Sequence, residues 1–149
     1  MNMKSAGRGL FKFIAAGGLV LASACSPFSS PQTTLYEELG GQEAIVSLAD
    51  HFILEIAFDD RVLPRFMDSN VERFREKIIE HFCWIADGPC LYTGDSMVQV
   101  HAGMQISSPE FNAVVENLIA AMDKTGISLP AQNKLLNRLA GLRPEIMGI

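Results

Sequence analysis

The sequence predicts an all-α domain for the part of the chain that follows residue 33. Apolar residues recur there at helical spacing, capping residues and Gly or Pro separate these stretches, and the Val/Thr alternation typical of strands is missing. The 149 residues are 48% apolar and 19% charged, which is an ordinary globular composition. This length suits one domain with a single core. The balance of 12 basic against 17 acidic residues argues against a nucleic-acid partner.

The first 24 residues differ from the rest in charge and hydropathy. They hold Lys4, Arg8 and Lys12 and no acidic residue, whereas the remaining chain has 9 basic and 17 acidic groups. The cations precede an apolar run over residues 13–24, which is too short for a membrane-spanning helix of about 20 residues. We therefore interpret residues 1–24 as a signal peptide.

The end of this leader resembles the lipobox of bacterial lipoproteins, in which a cysteine is acylated and becomes the new N-terminus. Residues 21–25 read Leu-Ala-Ser-Ala-Cys, with Ala22 where the lipobox usually has Leu, so an ordinary cleaved leader stays an alternative. Residues 25–34 are rich in Ser and Pro and are predicted to be an extended tether. A lipid on Cys25 would make the protein an exported, membrane-anchored lipoprotein that faces the periplasm or the cell exterior.

Two further cysteines, Cys83 and Cys90, make an even pair in an oxidising compartment. A disulfide between them would close a short loop and stabilise the fold by roughly 2–3 kcal/mol. Two unpaired thiols are the alternative.

Local signals divide the first part of the domain into three helical stretches. Thr34 and Glu37 have the spacing of a capping box for a short helix that ends at Gly40. A second helix is predicted over about residues 42–58, and His51 projects from it toward solvent. Asn70 is a good N-cap for a third helix, which runs to about residue 86. The apolar stripe of this third helix comprises Val71, Phe74, Ile78, Phe82 and Ile85, with Lys77 and His81 on one edge.

Three more helices are predicted after residue 94. Asp95 is a candidate N-cap for a short helix that carries Met97 and His101 on one face. Ser107 and Glu110 have the spacing of a capping box for a long helix, which ends near residue 126. The last helix spans about residues 130–142.

Residue patterns alone identify few chemical sites. The sequence has no zinc-protease motif, no paired cysteine motif, no phosphate loop and no cysteine beside an obvious base. His101 remains, because it lies within an apolar helix face. A histidine in that setting is either a hydrogen-bonded core residue or a ligand, and periodicity does not distinguish the two.

Three sequence blocks resemble the group I truncated haemoglobins, a family of small globins. Residues 36–45 read YEELGGQEAI, residues 88–101 fit GPxxYTGxxMxxxH and residues 103–106 fit GMxI, in the order and spacing of that family. The resemblance covers about residues 35–143. It implies an abbreviated two-over-two globin fold, in which two helix pairs enclose haem b.

The resemblance also implies roles for individual residues. His101 would be the proximal iron ligand, and Phe66 would be the aromatic residue that packs on the macrocycle. Further residues would contact the cofactor or line its pocket: Phe74, Lys77, Ile78, Tyr92, Met97, Ile106, Phe111 and Leu118.

The distal pocket departs from the family pattern. Ile53 stands where a tyrosine usually hydrogen-bonds oxygen, Ile78 stands where a glutamine is common, and Phe74 occupies a third pocket position. Without these donors, we expect oxygen to escape quickly. Lys77 lies where some relatives coordinate the iron and others meet a haem propionate, and His81 replaces a common aromatic residue at the edge of this pocket.

The resemblance therefore predicts reversible binding of a diatomic gas (O₂, CO or NO) at the haem iron. One alternative is a haem enzyme, either an NO dioxygenase or a peroxidase-like protein. Another is a non-catalytic interaction module at a membrane surface. The expected partners are the gas, the membrane through the lipid anchor and a reductase that the sequence does not identify.

Overall fold

A computed structural model describes residues 33–149 of the chain. These residues form six α-helices, joined by loops and two short 3₁₀ turns. The helices are α1 (Leu35–Leu39), α2 (Gly41–Ala57), α3 (Val71–Ile85), α4 (Met97–His101), α5 (Ser108–Thr125) and α6 (Leu129–Ala140). The described residues contain no strand and only one isolated β-bridge, so the all-α prediction is confirmed.

The signal peptide, most of the tether and Cys25 lie outside the described residues. Among the helices that the structure describes, none is both long and apolar enough to cross a membrane.

Most predicted helix starts are confirmed in side-chain detail. Thr34 caps α1, Asn70 caps α3 and Ser107 caps α5, each by accepting a hydrogen bond from a backbone N–H three residues later. The prediction for α4 was wrong by one residue. Ser96 is its N-cap, whereas the backbone carbonyl of Asp95 accepts a hydrogen bond from a tyrosine hydroxyl.

The core is built on α2, which packs most extensively against α5 and also contacts α3. The fully buried side chains of largest volume come from all four long helices and from the segment after α2: Phe82, Ile45, Leu48, Met122, Leu135, Val62 and Cys83. The predicted stripe of α3 needs a correction, because Val71 is 53% exposed at the first turn while Cys83 is fully buried. The cause is that α3 contacts the core mainly through its C-terminal half.

Two interactions fix the C-terminal end of α3. The structure joins the sulfurs of Cys83 and Cys90 in a disulfide, which ties the helix to the following loop. Arg138 of α6 donates to the carbonyl oxygen of Ile85 and to the carboxylate of Asp87. The loop that leads to α4 therefore begins from a fixed position.

Candidate functional site

The short helix α4 presents His101 in a defined orientation. Ser96 and Gln99 form a reciprocal capping box at the start of the helix. At its end, Nδ1 of His101 lies 2.8 Å from the carbonyl oxygen of Met97. Since a carbonyl only accepts, Nδ1 carries the proton and donates. The lone pair of Nε2 is then free to bind a metal, which is the arrangement found in metal-ligating histidines.

A cavity of about 370 Å³ lies beside α4. Its lining comes from α3, from the loop before α4, from α4 itself and from the segment after α6: His81, Trp84, Tyr92, Gly94, Ser96, Met97, Leu142 and Glu145. We call this space the α3–α4 cavity. Its walls are mainly apolar and aromatic, as is usual for cofactor sites.

His81 is the polar residue of α3 that lines this cavity. Only 6% of its surface is exposed, and its ring packs against Trp84 (centroids 6.2 Å apart) and Tyr92 (5.2 Å). Burial lowers the pKa of His81, and the nearby His101 lowers it further. Both effects favour the uncharged form of the imidazole.

A second, smaller cavity of about 90 Å³ lies between α2, the turn after it and the start of α3. Its lining includes Ile53, Phe66 and Phe74, so the structure brings these three predicted pocket residues together. The rings of Phe66 and Phe74 lie 5.3 Å apart. We call this space the α2–α3 cavity. Ile78 is partly buried against the core and is absent from the lining of both cavities.

Lys77 is held in a network of oxygen acceptors. Its Nζ lies 2.6 Å from Thr93 Oγ1, 2.9 Å from Glu80 Oε1 and 3.0 Å from Glu76 Oε1. The hydrogen bonds to Glu80 and then Glu76 raise the pKa of the lysine. A lysine must lose its proton to bind iron, so this network opposes that role and keeps the side chain a cation.

Glu80 organises the loop before α4, and sequence reasoning missed it. Its carboxylate accepts from the backbone N–H of Thr93 at 2.9 Å, and also from the Thr93 hydroxyl and Lys77. These contacts, with the Thr93 backbone first, lower the pKa of Glu80 to about 2. Lys77 and Glu80 are three residues apart on α3, a spacing that indicates an ion pair on one helix face. The contact between Glu80 and Thr93 could not be predicted in this way, because it depends on how the loop folds back onto α3.

The remaining predicted pocket residues lie after α4. Ile106 forms the isolated bridge with Met147, and the ring of Phe111 lies under the Arg143 guanidinium, 5.3 Å from it. Leu118 is buried in the core. None of these three lines either cavity.

These features fit a planar, apolar macrocycle that carries a metal. His101 has the tautomer of an axial ligand. The α3–α4 cavity, whose lining includes Met97 of the same helix but not His101, has the aromatic walls that such a group needs. In the part of the chain that the structure describes, no cluster of three or more His, Cys, Asp or Glu side chains could hold a metal ion without a cofactor.

Comparison with known families decides the assignment. A family model described as bacterial-like globin matches residues 34–147, almost all of the described chain. The chain belongs to this globin family. The match confirms the resemblance, and as a globin the chain binds haem, whose iron takes a diatomic gas.

Relatives and solved structures agree that the chain belongs to the globin family. The chain is 31% identical over 113 residues to a group 1 truncated haemoglobin of Mycolicibacterium paratuberculosis, and the match covers 76% of this chain and 83% of the relative. The chain is also 30% identical over 115 residues to the group 1 truncated haemoglobin of a Nostoc species, and this match covers 77% of the chain and 98% of the relative. The crystal structure of the truncated haemoglobin from Tetrahymena pyriformis, Fe(III) form, superposes with a TM-score of 0.76 at 26% identity, covering 78% of this chain and all of the other.

The carboxylate of Glu80 gives the globin a specific pH dependence. Because its pKa is lowered from 4.5 to about 2 in the folded state, its stabilising contribution is present above pH 4.5 and is lost as the pH falls toward 2. We expect Glu80→Gln to have a lower free energy of unfolding than wild type at neutral pH. The difference between the two proteins should shrink as the pH falls from 4.5 toward 2. Chemical denaturation at a series of pH values measures this. A difference that stays constant with pH would show that the carboxylate charge is not involved.

Proposed function

We propose that this globin is an exported, membrane-anchored haem protein that binds a diatomic gas reversibly, with His101 as the proximal ligand. The hydrogen bond from Nδ1 of His101 to the Met97 carbonyl carries the proposal, since it leaves Nε2 free and holds the ring in one orientation. His51, by contrast, contacts the Thr125 hydroxyl at 3.1 Å with its own Nδ1 and lines neither cavity.

Haem, when bound through His101, would supply an iron to which a diatomic gas can bind. The side chains that we assign to the gas pocket, Ile53, Phe66 and Phe74, are all apolar and share the α2–α3 cavity, whose one polar lining residue is Ser69. They offer no hydrogen bond to a polar ligand, and they hold or move no proton. Such a pocket favours CO or NO, which need no hydrogen bond, over storage of O₂ or an oxidative reaction.

Replacing the proposed proximal ligand should abolish normal haem binding. We expect His101→Ala to lose most of its haem or to hold it with an altered absorption spectrum, because α4 offers no other imidazole. The matched control is His51→Ala, which removes a histidine from another helix and should keep the wild-type haem content. Haem-to-protein ratios after purification measure both. Wild-type haem content and spectrum in His101→Ala would contradict the assignment.

Adding a hydrogen-bond donor to the apolar pocket should slow the escape of oxygen. We expect Ile53→Tyr to lower the oxygen dissociation rate by about tenfold, since one hydrogen bond is worth roughly 1–1.5 kcal/mol. CO is less polar and should respond less. Ile53→Phe is the matched control, because it adds the ring without the hydroxyl. Stopped-flow measurement of the O₂ and CO dissociation rates tests this prediction. If wild type already releases oxygen slowly and Ile53→Tyr leaves that rate unchanged, the pocket is not apolar.

The proposed membrane anchor is a lipid on Cys25, supported by the charged and apolar leader and by the small residues before the cysteine. Several acyl chains hold a protein firmly to a membrane, whereas a single chain does not. We expect Cys25→Ser to give an unprocessed or soluble product. Cell fractionation and the mass of the mature N-terminus test this. Unchanged fractionation, with no lipid mass on wild type, would exclude the anchor.

A further inference from the structure

Four large apolar side chains are exposed around the α2–α3 cavity. They are Leu54 (51% exposed), Phe58 (87%), Met67 (70%) and Val71 (53%). Val71 lines the cavity itself, and each of the other three directly follows a lining residue in the sequence: Ile53, Ala57 and Phe66. We call these four side chains the apolar patch. Apolar surface that is grouped in this way, and not scattered singly, is typical of an interaction site.

The charges around the apolar patch cancel. The segment 59–75 carries four carboxylates and four guanidinium groups: Asp59, Asp60, Asp68, Glu72, Arg61, Arg65, Arg73 and Arg75. Some of these groups already pair within the protein, as Arg61 does with Asp59 and Arg65 does with Glu110. Because the segment has no net charge, an occupant of the patch must be held by burial of apolar surface and not by electrostatic attraction.

The proposed lipid anchor limits how far the patch can lie from a membrane. Residues 26–33 separate Cys25 from the N-cap of α1, and an extended chain of that length reaches roughly 30 Å. Helix α2 begins directly after α1 and is about 25 Å long, with the patch at its C-terminal end. The reach of the tether therefore exceeds the length of α2, so the patch can meet the membrane that holds the anchor.

We propose that the apolar patch rests on the lipid bilayer to which the chain is anchored, with Phe58 and Met67 inserted at the boundary of headgroups and acyl chains. The inference rests on the proposed function, since it requires the lipid on Cys25. A bilayer is an apolar occupant that the anchor keeps within reach, and binding at its interface grows with the apolar area that is buried. The arginine side chains beside the patch can lay their stems on apolar surface and keep their charges among the headgroups.

This contact would give the gas pocket a second role for its position. The apolar patch surrounds the α2–α3 cavity, which we assign to the gas, so the cavity would face hydrocarbon. An apolar gas dissolves better in hydrocarbon than in water. The globin would then exchange its ligand with the membrane.

The test measures the depth of nitroxide labels in the lipid-anchored holoprotein, reconstituted in phosphatidylcholine vesicles. Ser69→Cys places a label beside the patch and changes none of its four residues. Ser128→Cys is the matched control, because this exposed serine begins α6 and its side chain makes no capping bond. Cys83 and Cys90 are joined and Cys25 carries the proposed lipid, so the introduced thiol is the one that takes the label.

Power saturation of the electron paramagnetic resonance signal reports which reagent reaches each label. The measurement uses the ferrous CO form, whose iron has no unpaired electron. We expect O₂ to reach the label at position 69 while a water-soluble nickel chelate does not. The label at position 128 should show the reverse.

Removing the apolar side chains should release the patch from the bilayer. In Phe58→Ser combined with Met67→Ser, we expect the nickel chelate to reach the label on Ser69→Cys. Leu129→Ser is the matched control, since it removes a side chain that is 67% exposed and lies outside the patch, and the label should stay inserted. The CO absorption spectrum checks that each variant is folded, and the labels on the intact patch do not depend on these variants.

Two results would overturn this inference alone. One is a lipid-anchored protein in which the nickel chelate reaches the labels at positions 69 and 128 equally. The other is spin–spin broadening at position 69 that disappears on dilution with unlabelled protein, which would assign the patch to a second copy of the chain. A mature protein that carries no lipid on Cys25 and does not sediment with vesicles would overturn the inference together with the proposed anchor.

Discussion

The structure around the functional site depends on one constraint, which is that α4 is too short to be stable by itself. It has five residues, whereas an isolated helix needs about 12–15 residues to persist in water. His101 therefore keeps its orientation only if the segments on both sides of α4 are fixed. On the N-terminal side, the Cys83–Cys90 disulfide and the hydrogen bond from Thr93 to Glu80 hold the loop against α3.

The segment after α4 is held by residues that are distant in the sequence. The backbone N–H of Gln105 donates to the carbonyl of Ile149 at 3.2 Å, beside the bridge formed by the C-terminal tail. Arg65 donates to the carbonyl of Met104 at 3.0 Å and pairs with Glu110. Because Phe66 follows Arg65 directly, the hydrogen bond from Arg65 to Met104 connects the wall of the α2–α3 cavity to the loop after His101.

Environment, more than residue type, separates the two polar residues on the edge of α3. Lys77 lies among carboxylates, which raise its pKa and keep it charged. His81 lies among aromatic rings, and burial lowers its pKa, which favours the neutral form. The loop that Glu80 anchors contributes to both environments, because it brings Thr93 to Lys77 and Tyr92 to His81.

Sequence patterns were sufficient to predict the features that arise within a few residues of one another. The capping residues of α1, α3 and α5 act over three positions, and the motif around His101 identified the family. Tertiary structure decided what depends on distant segments. His51, expected in solvent, is half-buried against Thr125, 74 residues away, and the loop before α4 folds back so that Thr93 reaches Glu80. Such contacts depend on helix packing angles and loop paths, which local periodicity does not encode.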